Sequence, residues 1–141
     1  MKSIFGNYTL DQVRGIGNKT MFEHLGMEIT SIDNNKICGK MPVDYRTVQP
    51  MQILHGGASC ALAETLASIG AFLTVNPETH YCVGMEINAN HLRPAKSGFV
   101  YGEASPVHMG RTSQVWSIET RNEEQKMVCI SRMTIAVVAR Q

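Results

Sequence analysis

Between residues 47 and 77 the chain carries one formal charge, the carboxylate of Glu64. The rest of that span is apolar, small or neutral. From His55-Gly56-Gly57 to about Val75 it reads as one long helix, closed by Asn76-Pro77. A helix that is apolar nearly all round must be covered on more than one side. Residues 58–75 tempt a membrane reading, but Glu64 sits mid-span and no Lys or Arg flanks the run. A carboxylate at a bilayer centre costs about 2.5–3.5 kcal/mol. The segment therefore reads as a buried helix of a soluble protein, with no membrane partner.

What surrounds the helix reads as strand. Thr9 is a fair N-cap for a short helix through Gly15, and Thr20 opens another turn ending near Gly26. Residues 27–32 and 37–43 flank the turn-former Asp33-Asn34-Asn35-Lys36 as a β-hairpin. An irregular stretch follows from Asp44 to Leu54, where Pro50 excludes a regular helix. After the long helix the pattern alternates. Val83, Met85, Ile87, Ala89 and His91 are expected on one strand face, with Gly84, Glu86, Asn88 and Asn90 on the other. Further strands are expected near 98–107, 112–121 and 126–139, the last two joined by a turn at Asn122-Glu123-Glu124-Gln125. Two strands, one helix and four strands make an α+β domain with the helix packed on a sheet face. One sheet covers one side of the helix. The simplest source of further cover is a second copy, so a homodimer is expected.

Bulk properties narrow the class. At 141 residues, one domain (1–141, with 1–26 a short N-terminal helical segment) is the natural size. Thirteen Lys and Arg against twelve Asp and Glu leave a net charge of +1, which lacks the basic footprint of a nucleic-acid binder. The cysteines, Cys38, Cys60, Cys82 and Cys129, are scattered without a CxxC pair, so they read as reduced thiols of a cytoplasmic protein rather than zinc ligands. Residues 1–9 lack the continuous apolar stretch of a secretory signal.

Chemistry concentrates on the helix. A Glu is almost never fully buried unless something pairs with it or uses it. At helical spacing Gly57, Cys60, Ala61, Ala67, Ser68 and Ala71 share the face of Glu64, so the carboxylate is expected in a groove of small residues. Leu62, Leu66, Ile69 and Leu73 point away and anchor the helix. Gly56 and Gly57 are expected to present free N–H groups at the positive helix end, which suits the developing oxyanion of a carbonyl. Gln49 and His55 flank the same point as hydrogen-bond donors. Glu64 follows Gly57 by seven residues, roughly 10 Å at 1.5 Å per residue. If both serve one reaction, they come from different subunits related by a two-fold axis. Acyl transfer to water fits this pair, with Glu64 attacking the acyl carbon or activating water. There is no GxSxG, and Cys60 is not read as a nucleophile. Gly15-Ile16-Gly17-Asn18-Lys19-Thr20 echoes a phosphate loop only faintly. Arg93 and the loop His108-Met109-Gly110-Arg111-Thr112-Ser113 gather donors that would suit a diphosphate.

Met41-Pro42-Val43-Asp44, Arg46-Thr47, Gln49-Pro50, His55-Gly56-Gly57-Ala58-Ser59, Ala63-Glu64 and Glu86-Ile87-Asn88-Ala89-Asn90-His91 together resemble the hotdog-fold acyl-CoA thioesterases of the PaaI-like type, within the 4HBT superfamily. The resemblance runs over residues 20–138 and is strongest to the branch holding 1,4-dihydroxy-2-naphthoyl-CoA thioesterase and the proofreading thioesterase of enterobactin synthesis. It implies an antiparallel sheet of five to six strands wrapped around one long central helix. It also implies Glu64 as nucleophile or general base, oxyanion N–H groups from Gly57 and Gly56, and Gln49 and His55 orienting the carbonyl or water. Ser68 would position water. Gly84, His91-Leu92-Arg93-Pro94 and the loop 108–113 would line the acyl–pantetheine tunnel and CoA nucleotide site. A shared-site homodimer, usually within a homotetramer, is implied, with an acyl-CoA or acyl-carrier-protein thioester as substrate. No cofactor is implied beyond the CoA of substrate and product. Met51-Gln52 stands where relatives often have Phe-Gly, and Pro94 and Met109 also depart; these bear on substrate choice. Two other readings are a hotdog acyl-thioester dehydratase or hydratase and a non-catalytic acyl-CoA binder.

Overall fold

The computed structural model describes residues 3–141. Met1 and Lys2, at the start of the stretch read as no secretory signal, lie outside the described residues. In chain order the elements are α1 (Leu10–Gly15), α2 (Met21–His24), β1 (Glu28–Ile32), β2 (Ile37–Pro42), α3 (Gly56–Leu73), β3 (His80–His91), β4 (Phe99–Met109), β5 (Ser113–Arg121) and β6 (Met127–Ala139). Local chemistry sets their ends. The Thr9 side chain accepts the Gln12 N–H while Gln12 Oε1 accepts the Thr9 N–H, a capping box that starts α1. Thr20 caps α2 in the simpler way. Asn122 Oδ1 accepts N–H bonds from Glu124 and Lys126 at 3.0 Å each, and Gln125 takes the left-handed φ of +62° that closes the β5–β6 turn.

The six strands form one antiparallel sheet in the order β1-β2-β4-β5-β6-β3. α3 packs against β2, β3, β4, β5 and β6, so the sheet curls around it as the hotdog resemblance implies. Leu62 and Leu66 are buried against Gly102 of β4, and Leu73 is buried too, each contributing about 1.5–3 kcal/mol of apolar burial. By length and composition α3 could cross a membrane, but here more than half of it is buried within the fold.

Two expectations need correction. The alternation along β3 breaks at a β-bulge between Gly84 and Glu86, which leaves Met85 as the extra residue. Gly84 therefore joins Ile87, Ala89 and His91 on the helix side, opposite Ile135, while Val83 pairs with Ala136 on the other face. The further cover of α3 is also not left wholly to a second copy. The chain's own residues 5–22 supply part of it: Phe5 stacks on Trp116 at 6.4 Å, Tyr8 meets Phe72 at 6.3 Å, and Val13 is fully buried.

The C-terminal half of α3 is locked by Trp116. Its indole Nε1–H donates to Gln114 Oε1 at 2.8 Å, and Gln114 Nε2 donates to Thr74 Oγ1 at 2.8 Å. Gly70 lets this ring approach, since a Cβ there would fall 2.8 Å from the ring edge. Gly70→Ala gains up to about 1 kcal/mol of helix propensity but overpacks a closed core at about 1–3 kcal/mol. The expected net result is a lowered urea midpoint with an unchanged m-value, measured by equilibrium unfolding.

Candidate active site

The start of α3 is closed by its own N-cap. His55 Nδ1 accepts the Gly57 N–H at 2.8 Å, while the His55 carbonyl accepts from Ala58 at 2.9 Å and Ser59 at 3.2 Å. The expectation that Gly57 presents a free N–H is thus corrected: in this state the imidazole occupies it. The same bond has a chemical consequence. A ring nitrogen that accepts carries no proton, so the proton of neutral His55 sits on Nε2, and His55 faces outward as a donor.

Gln49 belongs to the same rigid piece. Its N–H donates to the Ile53 carbonyl at 2.9 Å, and its carbonyl accepts from Gln52, whose φ is +60°. Val48 bridges Leu54, and the His55 N–H reaches the Thr47 carbonyl at 2.8 Å. The Gln49 side-chain oxygen takes the Met51 N–H, which turns its NH₂ outward as the donor end. Over Gly56 rests His91: a Cβ at Gly56 would lie 2.8 Å from His91 Nε2. His91 is exposed rather than sealed in the core.

Glu64 lies two turns further along α3 and is exposed on a cavity of about 510 Å³. Gly57, Cys60, Ala61, Thr65 and Ser68 share this wall. Ala67 and Ala71, at the same helical spacing, are fully buried and do not line the cavity. Gly84 closes against the carboxylate: a Cβ there would sit 3.1 Å from Glu64 Oε1 and 2.6 Å from Met133 Cε. The bulge at Met85 is what aims this glycine at Glu64. Ser68, one turn after Glu64, has its hydroxyl 4.0 Å from Met133 Sδ and lines the same cavity. Burial, then Cys129 and Glu64 nearby, push the Cys60 thiol pKa up, which disfavours the thiolate a nucleophile would need.

Several residues singled out in the sequence stay apart within one chain. Leu92 and Arg93 are held by N–H bonds to the Val128 carbonyl, Arg93 Nη1 donates to the Met127 carbonyl at 2.8 Å, and Pro94 is exposed beside them. This cluster sits at the His91 end of β3. The loop from His108 to Ser113 sits at the other end, since Ser113 faces Ala136, which faces Val83. Eight residues of strand separate the two ends, roughly 25 Å at about 3.3 Å per residue. In that loop Gly110 donates to the Ser113 carbonyl at 2.8 Å and packs under His108, while Met109, Arg111 and Thr112 are exposed.

The sequence reading missed the far wall of the cavity. Ile16, Gly17, Thr20, Met21 and Phe22 form it. Three bulky apolar side chains around the Gly15–Thr20 turn were the available signal.

A curled antiparallel sheet around an apolar helix, with one carboxylate on a cavity and a donor set at the helix start, defines a site suited to acyl transfer. The family model described as the Thioesterase superfamily matches residues 51–129. Proofreading thioesterase EntH of Klebsiella pneumoniae is 44% identical over 130 residues, covering 92% of this chain and 94% of that protein. The structure of thioesterase HI1161 from Haemophilus influenzae superposes with a TM-score of 0.90 at 44% identity, covering 94% and 92% of the two chains. That of a thioesterase PA1618 variant from Pseudomonas aeruginosa gives 0.93 at 41%, covering 95% and 96%. The chain belongs to the thioesterase superfamily and is a thioester hydrolase, which sets aside the dehydratase and non-catalytic readings.

The His55 cap separates stability from chemistry. His55→Ala is expected to lose about 0.5–2 kcal/mol with the cap, whereas His55→Asn, a good N-cap, is expected to hold wild-type stability. Thermal melts of the two variants side by side check this.

Proposed function

We propose that this hydrolase cleaves an acyl-CoA thioester to the free acid and CoA, with aryl-CoA esters such as 1,4-dihydroxy-2-naphthoyl-CoA or a hydroxybenzoyl thioester as the favoured class. An acyl-carrier-protein thioester presents the same reacting group. The observation that carries the reading is Glu64, among the described residues the one charged side chain on an otherwise neutral, largely apolar cavity wall. No cofactor beyond the CoA of the substrate takes part. The enzyme works in the cytoplasm, in keeping with its four free cysteines, and engages neither nucleic acid nor membrane.

In the proposed reaction the thioester carbonyl lies at the start of α3. It accepts from His55 Nε2–H and the Gln49 NH₂ at the positive helix end, with the backbone of Gly56 and Gly57 beside it. Glu64 acts in one of two ways. As a base it takes a proton from water held by Ser68, hydroxide adds to the acyl carbon, and the C–S bond breaks to release CoA thiolate. As a nucleophile it adds to that carbon itself, expels the thiolate and leaves an anhydride that water opens. Single-turnover hydrolysis in ¹⁸O-water separates them, because only the anhydride route carries the label into Glu64.

Glu64 and His55 of one chain are too far apart to grip one carbonyl, so the site takes them from two subunits. β3 is the longer of the two unpaired sheet edges, 12 residues against 5 in β1, and exposes Tyr81, Val83 and Met85; a long apolar edge is a template for pairing. Antiparallel pairing of two β3 strands sets the His91–Pro94 end of one subunit beside the 108–113 end of the other, so that both clusters can serve one extended CoA ester. Two such dimers would associate as a homotetramer.

Glu64→Ala and His55→Ala, each inactive alone, are expected to recover about a quarter of wild-type activity when co-refolded in equal amounts. Half of the dimers are then hybrids, each with one intact site. Thiol release from an aryl-CoA ester measures it. Activity no higher than the separate variants would contradict the shared site.

A further inference from the structure

We infer that residues 16–22 are the acyl-selecting wall of this site, with Met21 setting the size of group that fits; the inference rests on the thioesterase reading above. The occupant is the end of the acyl group distal to the thioester, and its class is apolar and of aromatic-ring dimensions. A cavity of about 510 Å³ falls within the range of small-molecule sites, about 300–1,000 Å³. One side of it is the small-residue face of α3 with Glu64; the opposite side is this segment.

The wall is built rather than draped. Gly17 has no room for a side chain, since a Cβ would fall 2.3 Å from Phe22 Cδ1 and 3.0 Å from Phe22 Cβ. Thr20 fastens both ends of the turn, donating from Oγ1 to the Gly17 carbonyl at 2.7 Å and accepting the Phe22 N–H at 3.3 Å. Between them Lys19 holds a left-handed φ of +58°. Phe22 is packed partly into the core, which anchors the segment. Ile16 and Met21 are 42% and 62% exposed, and both line the cavity. These two large apolar side chains stay open beside the fixed Gly17–Phe22 contact and take no part in the hydrophobic core. Facing Glu64 across the cavity, they supply the apolar surface an acyl group needs. Because Met21 lines the cavity and is not packed into the core, its length limits how bulky that group can be.

The test is kcat/KM for benzoyl-CoA, 2-naphthoyl-CoA and dodecanoyl-CoA with wild type, Met21→Ala, Met21→Trp and Gly17→Ala, each verified as folded by its thermal melt. Met21→Ala is expected to raise the naphthoyl-to-benzoyl ratio on the order of tenfold, and Met21→Trp to lower it by a similar factor, the usual worth of a methylene or two in an apolar pocket. Gly17→Ala, by pushing Phe22 toward the cavity, should move the ratio the same way as Met21→Trp. The two Met21 variants keep the test open if Gly17→Ala fails to fold. Acyl profiles of both Met21 variants superimposable on an active wild type would overturn the assignment while leaving the hydrolase reading intact. A wild type that hydrolyses none of the series would overturn both.

Discussion

A helix with one charge in eighteen residues dictates the rest of this molecule. Its apolar circumference forces a sheet to curl over it, and the N-terminal segment is recruited to cover what the sheet does not reach. Where both covers part, the cavity opens. The only carboxylate on the helix stands there, because it is the one side chain that could not be buried without a partner. Core packing and site placement thus follow from the same pattern of residues.

The start of the helix shows a second coupling. His55 satisfies a backbone donor that every helix must satisfy somehow, and doing so fixes which ring nitrogen carries the proton. A structural need and a chemical one are met by a single hydrogen bond. Gln49 is treated similarly: its oxygen accepts the Met51 N–H inside the loop, and its NH₂ is the end that the proposed reaction offers to the carbonyl. Gly84 completes the set, since the bulge beside it turns a bare backbone toward Glu64 where any side chain would crowd the carboxylate.

What could be read from the chain beforehand was local. The Thr9 and Thr20 caps, the Asp33–Lys36 turn and the Asn122–Gln125 turn declare themselves within four residues, and the long helix declares itself by the lack of charge. The bulge at Met85 was illegible because alternation carries no mark of an extra residue; it took the pairing with β6 to reveal it. The His55 cap was hidden for another reason, since His is not among the usual N-cap residues. The far wall of the cavity was the least readable part. It joins residues 16–22 to a helix about forty positions later, a contact that only the fold creates.

The proposed reaction turns on the Glu64 carboxylate, which drives thioester cleavage from an otherwise neutral cavity. Its most direct test is single-turnover thiol release from an aryl-CoA ester by Glu64→Gln, which keeps the shape of the side chain and removes the charge. Substrate affinity close to wild type with the chemical step slowed at least a hundredfold is the expected result. A chemical step as fast as wild type would contradict it.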